Sequence, residues 1–450
     1  MLVMRITDDI VRASLQIGSV VSFKADRISI DSRNISGGEL FIAIKNGNNF
    51  VNDAINRGAV AAIVDNPNSQ ISGKTILVND SLAALKSIGR YIKNCVSLKK
   101  TVGITGSVGK TTTRLWLSTI LNHQFNSFAG IKNYNTIYGM PICFSMLEDN
   151  VDFGIFELGS SSPGEVSELA HYLNPDIGII TNIYESHIGK FGDHVTIAKE
   201  KMSIIGGIRD GGILIYDGDS KFSQNILDMT KRCGIRTISV GFGAHCDFSI
   251  LKYDKRVLLK TPKESLTYNL SLNGKHYAYI SACIVAAIHA IGLHPRKFLQ
   301  YFEKLQLLNG RGVVRNFSFR NKTFSVVDDS YNASPTSVIA ALDILSSMPH
   351  KLKVVVIGEM KELGAYTTYY HELIATKLSS LNIEHIFFVG DVQLWEAMNK
   401  VKNIICFEKL DIFAMEKVLE IVQNGCIVLL KGSRSVELDK FIEYVQCSTV

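Results

Sequence analysis

The chain has 450 residues, 46% of them hydrophobic, and a formal net charge of +6. So much apolar material excludes a disordered chain, and the length predicts two to four domains at about 100–200 residues each. The basic excess is small and no run of five or more Lys or Arg occurs, so no nucleic-acid partner is expected, while a mild positive bias suits polyanionic small molecules.

The opening stretch MLVMRITDDIVRAS carries acidic residues early and lacks a long apolar core. No signal peptide is expected, and no run approaches the roughly eighteen apolar residues of a membrane span. The eight cysteines form no C-x-x-C pair, and several sit in apolar runs. That predicts a reducing, cytoplasmic setting and gives no zinc site from spacing.

Residues 1–98 contain the short strands ELFIAI, AVAAIV and KTILV and one good helix, SLAALKSIGRYIKN, which Asp80 or Ser81 would cap. This reads as a small α/β unit. From 99 to 313 the apolar runs TVGIT, DFGIFELG, DIGIITN and GGILIYD alternate with helical patterns. That alternation predicts a mostly parallel sheet with helices on both faces. AYISACIVAAIHAIGL reads as a buried helix stopping at Gly292, with Pro295 just beyond. From 314 to 450 the pattern restarts: TFSVVDDS, KLKVVVIGEM, EHIFFVGD and CIVLLKGS as strands, with PTSVIAALDILSSM and YYHELIATKLSSL as helices. The prediction is a separate doubly wound unit, and three α/β domains in all.

The sharpest motif is GITGSVGKTTTR, Gly103 to Arg114. A strand ending at Thr105 meets a turn of Gly106, Ser107, Val108 and Gly109, and then Lys110, Thr111 and Thr112 open a helix. Glycines let backbone amides turn toward a phosphate, and the helix start adds partial positive charge. Lys110 can reach the β- and γ-phosphates, and the Thr111 hydroxyl can hold Mg²⁺. The spacing is not the usual long form, because Gly103 leaves five residues before the Gly-Lys pair and Gly106 leaves two.

Three further places carry chemistry with a plainer reading beside it. Glu157 ends a strand, the edge where ligands gather in open α/β sheets, and can ligate Mg²⁺; it reads equally as a surface carboxylate. His187 follows another strand and can bind a divalent metal, or be a solvated histidine. In TIAKEKMSII, Lys199 and Lys201 read as solvated lysines on a helix face.

The short T-G-x-x-G-K-T/S loop resembles that of the ATP-dependent Mur ligases and the folylpolyglutamate synthases. VVDDSYNASPTSVIAALDIL closely resembles the D-D-S-Y-N-A-N-P segment of the Mur ligase branch that adds D-alanyl-D-alanine. SIDSRNISGGELFIAI, KNYNTIYGMPICF, LNGRGVVRNF, VVVIGEMKELG and LLKGSRSVELDKFI resemble further segments of that family in the same order. On these motifs the chain is identified as a member of the Mur ligases.

The resemblance implies an N-terminal UDP-binding domain, a central ATP-binding P-loop domain and a C-terminal Rossmann-like domain. It implies ATP-dependent amide-bond formation through an acyl phosphate, with UDP-N-acetylmuramoyl-tripeptide and D-alanyl-D-alanine as substrates, ATP and Mg²⁺, and a monomer serving cell-wall synthesis. Lys201 becomes a carbamylated metal ligand, with Thr111, Glu157 and His187. Asp329, Tyr331 and Asn332 become candidates for the nucleotide's sugar, base and phosphate end, and Arg311 for the transferring phosphate. Ser32 and Arg33 would hold the UDP end, and Asn135 and Thr136 the muramoyl peptide. Lys431, Ser433 and Arg434 could form a cationic lip.

The chain departs from the family pattern at Ser161-Ser162, Ile280, Thr136 and Ser334, where the family usually carries Asn-His or similar and then Asn at each of the others. A sibling ligase with another acceptor, a folate polyglutamylase and a non-catalytic nucleotide-binding relic are the alternative readings.

Overall fold

The computed structural model describes residues 5–18, 20–131 and 134–447. Among the described residues the strands form four sheets. The first two belong together: the antiparallel pair Ile6–Thr7 and Lys24–Ala25 shares a core with a parallel sheet of Arg27–Ser29, Glu39–Ile42, Ala61–Val64 and Thr75–Leu77. Helix Ser81–Cys95 covers this core with Ala84, Leu85, Ile88 and Ile92, the i, i+4 spacing of an apolar stripe. Asp80 is its N-cap, accepting from Leu82 N at 2.7 Å and Ala83 N at 3.0 Å.

The central sheet has nine strands. From one edge they run Ser127–Ala129, Phe153–Glu157, Lys100–Thr105, Ile177–Ile180, Ile213–Asp217, Arg236–Gly241 and Phe248–Lys252, all parallel. One face packs Val102, Ile104, Ile155 and Ile179 against Trp116 and Leu117 of helix Lys110–Leu121 and against helix Lys275–Ile291. The other packs Phe156 and Ile180 against helices Glu165–Leu173 and His194–Met202. Burial on both faces explains why these strands read as continuous apolar runs.

The sheet is mostly parallel, as the alternation of runs and helices predicts, and only its far edge turns antiparallel. Strands Phe248–Lys252, Arg256–Lys260 and Ser265–Asn269 form an antiparallel meander. In the last two strands residues alternate between buried and exposed, so only one face is covered and no apolar run marks them.

The last sheet has six strands in the order Val313–Phe319, Lys322–Asp328, Cys426–Lys431, Lys353–Gly358, His385–Val389 and Ile404–Phe407. The first pair is antiparallel and the rest are parallel. Val313 already pairs with Asp328 in this sheet.

In the central sheet the chain leaves Phe153–Glu157 and crosses to the opposite side of Lys100–Thr105 to form Ile177–Ile180. That crossing opens a crevice at the carboxyl ends of these strands, the place where such sheets bind ligands.

Just before Ile177–Ile180, Asp176 is 6% exposed and ties two strands together. It accepts from Thr101 N at 2.8 Å and Thr101 Oγ1 at 3.0 Å, and pairs with Lys100 at 3.1 Å and Arg209 at 2.8 Å. Asp176→Ala strands these donors, at a cost of about 2–4 kcal/mol. Calorimetry should show the central domain's transition falling by roughly 5–15 °C; an unmoved transition would deny Asp176 this role.

Candidate active site

The glycine turn follows directly from strand Lys100–Thr105. Gly106 has φ 140° and its Cα hydrogen faces Thr181, where a Cβ would overlap the Thr181 hydroxyl. Gly109, at φ 84°, precedes helix Lys110–Leu121. Both positions need glycine's backbone freedom. The turn is fastened to the segment after strand Ile177–Ile180. Asn182 bonds Val108 twice, accepting its N–H at 2.9 Å and donating to its carbonyl at 3.0 Å. Thr181 Oγ1 donates to the same carbonyl at 2.7 Å, and Ser107 Oγ bonds Tyr184 O and Tyr184 N at 2.8 Å each.

Lys110 Nζ lies over this turn, donating to Gly106 O at 2.6 Å. Burial lowers its pKa, and Glu157 partly restores it. Thr111 Oγ1 donates to Glu157 Oε2 at 2.9 Å, and Asn135 Nδ2 donates to Glu157 Oε1 at 3.0 Å. Arg114 Nε stands 3.7 Å from the same carboxylate, which is 10% exposed. The Thr111 hydroxyl and the Glu157 carboxylate are hard oxygen donors side by side at a phosphate turn, a set that fits Mg²⁺.

His187 has φ 57° and lies just before helix Ile188–Phe191. Its Nδ1 stands 2.5 Å from Glu362 Oε2, and Lys190 Nζ 3.1 Å from Glu362 Oε1. Burial lowers the His187 pKa against the pull of Glu362, which favours the neutral imidazole that binds metals. Lys201 is 1% exposed and donates to Ser160 Oγ at 2.6 Å. Burial and the nearby Lys110 lower its pKa to about 7, with Glu200 and Glu165 opposing. Lys199 is exposed.

The C-terminal domain faces these groups. Arg311 Nη2 donates to Thr111 Oγ1 at 3.2 Å, and its guanidinium lies over the Tyr331 ring at 4.1 Å. Asp329 pairs with Lys431 at 2.8 Å, and Lys431 also donates to Asn332 O at 2.9 Å. Burial raises the Asp329 pKa while Lys431 counters it. Two further contacts join the domains. Glu185 Oε1 accepts from Thr336 N at 2.7 Å and from the Thr336 hydroxyl, at the first turn of helix Pro335–Ser347. Gly189 N donates to Glu362 O at 3.0 Å, and a Cβ on Gly189 would come within 2.8 Å of Gly364 Cα.

One cleft of about 2060 Å³ collects most of the expected residues. Lys110, Thr111, Thr112, Asn135, Thr136, Glu157 and His187 enter it from the central domain. Arg311, Asp329, Tyr331, Asn332 and Lys431 enter on the C-terminal side. Lys201 reaches it only through Ser160. Ile280 also lines it, packed beneath Gly109.

Ser32 and Arg33 are elsewhere, in the N-terminal domain. Ser32 is 6% exposed, and Arg33 is held over Asp31 by bonds of 2.9 and 2.8 Å. The cationic lip is corrected: only Lys431 reaches the cleft. Ser433 Oγ is spent on Lys361 N at 2.8 Å, and Arg434 turns to Asp439. Lys132 and Asn133 of the peptide-loop segment lie outside the described residues. Sequence reasoning passed over Glu185, Glu362 and Thr336. The signal available was an acidic residue two positions before His187, in a segment already singled out.

A phosphate turn with its lysine, a carboxylate beside the helix threonine and an arginine in the segment leading into a second α/β domain define an enzyme of the nucleoside-triphosphate-using class. Comparison with known proteins narrows that class. Residues 104–288 match the Mur ligase middle domain, and residues 315–434 match the Mur ligase glutamate ligase domain. The chain is 31% identical to the UDP-N-acetylmuramoyl-tripeptide–D-alanyl-D-alanine ligase of Rickettsia prowazekii, over 94% of this chain and 96% of that one. The MurF structure from Acinetobacter baumannii superposes with TM-score 0.88 at 25% identity, covering 99% of each chain. MurF ligase from Thermotoga maritima in complex with ADP does so with TM-score 0.81 at 25% identity, over 94% of this chain and 97% of that one. The chain belongs to the Mur ligase family.

The Glu185–Thr336 contact has a direct readout. Glu185→Ala removes the acceptor at the start of helix Pro335–Ser347. Hydrogen exchange at its first turn should quicken about 5–10-fold, the ~1–1.5 kcal/mol of one such bond. Unchanged exchange there would show that the carboxylate does not hold the helix.

Proposed function

We propose that the protein joins D-alanyl-D-alanine to the terminal carboxylate of UDP-N-acetylmuramoyl-tripeptide, converting ATP to ADP and phosphate, in peptidoglycan precursor synthesis. One observation carries this reading: the Lys110–Thr111–Glu157 group of the glycine turn and Asp329, Tyr331 and Asn332 line the same cleft, bridged by Arg311. Near full-length likeness to ligases of that name supports it. The division into domains 1–98, 99–313 and 314–450 is supported by a change of sheet at the first junction and, one residue early at Val313, at the second.

A carboxylate is a poor electrophile. In the first step its oxygen attacks the γ-phosphorus of ATP, the bond to the β-phosphate oxygen breaks, and ADP leaves. In the second the dipeptide amine attacks the acyl carbon, the bond to phosphate oxygen breaks, and the nitrogen gives up a proton. Lys110 exchanges its bond to Gly106 O for the phosphates and offsets their charge as transfer proceeds. Arg311 follows the transferring group from the C-terminal side, held flat against Tyr331. Asp329, Tyr331 and Asn332 take the nucleotide's sugar, base and phosphate end. Asn135 and Thr136 meet the muramoyl peptide, and Ser32 and Arg33 the UDP end.

Mg²⁺ at Thr111 and Glu157, and a second at His187 and Lys201, would screen the triphosphate from the substrate carboxylate. For that role Lys201 must be an anion. Its pKa of about 7 leaves much of the amine neutral and able to add CO₂, forming an N–C bond, releasing a proton and turning the cation into a carbamate. All eight cysteines are free, which suits a reducing cytoplasm.

A sibling ligase with another acceptor and a non-catalytic relic are disfavoured. The D-D-S-Y-N-A segment stands at the cleft, and Lys110, Thr111, Glu157, His187, Lys201 and Asp329 are all present.

Phosphate release should require the UDP-tripeptide and D-alanyl-D-alanine together; ATP binding without coupled product would favour the relic. Lys110→Ala should lower kcat/KM by about 10³-fold or more, and a variant still making product at near-normal rate would refute the phosphate role. Stripping CO₂ from the buffer should depress turnover and bicarbonate should restore it, with Lys201→Ala insensitive to both. Indifference of the unaltered enzyme to CO₂ would rule out the carbamate.

A further inference from the structure

A second cluster of donor groups lies at the wall of the same cleft. Asp219 follows strand Ile213–Asp217, while His245 and Cys246 sit in the loop between Arg236–Gly241 and Phe248–Lys252. Asp219 Oδ1 is 3.6 Å from His245 Nε2 and 3.7 Å from Cys246 Sγ. The donor atoms of all three residues lie within 4.8 Å of one another. Tetrahedral zinc with bonds of about 2.0–2.3 Å sets its ligand atoms roughly 3.3–3.8 Å apart. Those two separations match that spacing, and His245 Nε2, now 3.1 Å from Gly218 O, would exchange that contact for the metal.

The surrounding backbone is shaped to admit these groups. A Cβ on Gly218 would lie 2.6 Å from Cys246 Sγ, and one on Gly241 would lie 2.5 Å from Asp219 Oδ2 and 2.7 Å from Cys246 Sγ. On Gly243 it would lie 2.5 Å from Asp219 Oδ1 and collide with the His245 ring. Three glycines thus clear space at one point where three donors converge. The carboxylate is fixed in place, accepting from Phe242 N at 2.5 Å and Gly243 N at 3.0 Å. Burial, then the neighbouring carboxylates of Asp219, Asp217 and Asp247, push the Cys246 thiol up to about 12.

We propose that Asp219, His245 and Cys246 form a zinc site in the cleft wall, separate from the magnesium chemistry of the triphosphate and independent of the ligase reading. Thiolate, imidazole and carboxylate together suit a borderline-soft ion and not Mg²⁺. The Cys246 S–H bond breaks as the metal–sulfur bond forms, and the proton goes to solvent, so affinity rises with pH. Of the three residues, Asp219 lines the cleft. The donors come from two loops 26 and 27 residues apart, His245 and Cys246 from Asp219, which is why no spacing motif announces them.

Cobalt is the probe, titrated into the full chain. One equivalent should produce a near-ultraviolet thiolate-to-cobalt band with the intense visible absorption of a tetrahedral site. Zn²⁺ should abolish both, and excess Mg²⁺ neither. Cys246→Ser should lose the near-ultraviolet band, and His245→Ala should weaken cobalt binding by at least the ~10–100-fold that an outer-shell partner costs. The combined Cys95→Ser, Cys233→Ser, Cys447→Ser protein, stripped of its exposed thiols, should keep the band. Circular dichroism reports whether each variant folds, and Asp219→Asn repeats the test should Cys246→Ser fail to. No thiolate band in the unaltered chain, or a band surviving Cys246→Ser, overturns the proposal.

Discussion

Seven residues, Thr181 to His187, fix the position of almost everything that matters at the cleft. On one side Thr181, Asn182 and Tyr184 grip the glycine turn through Val108 and Ser107. On the other, Glu185 and His187 meet Thr336 and Glu362 of the C-terminal domain. A phosphate turn works only if its amides are held still, because an unconstrained glycine loop spends binding energy on ordering itself. Here the backbone that holds the turn also receives the second domain. Displacement of either is felt by the other through one short stretch of chain.

Charge explains the rest of the arrangement. Glu157 is shared by Thr111, Asn135 and Arg114, so a nearly buried carboxylate is fully engaged. Among the described residues no carboxylate pairs directly with Lys201; it ends on a serine hydroxyl in a site where Lys110 is already a like-charged neighbour, with Glu200 and Glu165 opposing from farther off. A buried amine so placed is poorly served as a cation. Asp329 and Lys431 solve the corresponding problem across the cleft by pairing. Ile280 packs under Gly109 and supports the turn by shape alone.

What was readable in the sequence follows from the range of the forces involved. The turn was legible because strand, glycines, lysine and helix are local and each is demanded by geometry. So was the Asp80 cap. The parallel strands were legible because burial on two faces writes an apolar run. The edge meander was not, since half-buried strands with alternating residues leave a weak trace. The interdomain contacts were invisible for another reason: Glu185 meets Thr336 across 151 positions, and nothing local distinguishes it from a solvated glutamate. Arg434 shows the converse error, since a basic residue after a strand looked like a lip and instead serves Asp439.

The approach of Gly189 to Gly364 has a mechanical meaning. Two bare backbones touch there, with no interlocking side chains to be pulled out of sockets. Parting the domains at this point breaks the Gly189 N to Glu362 O bond and the ion pairs of the Glu362 carboxylate, beside the apolar packing of Ile188 and Phe191 with Leu363 and Tyr370. Such a joint combines a fixed apolar seat with electrostatic catches. Only the catches soften as salt rises.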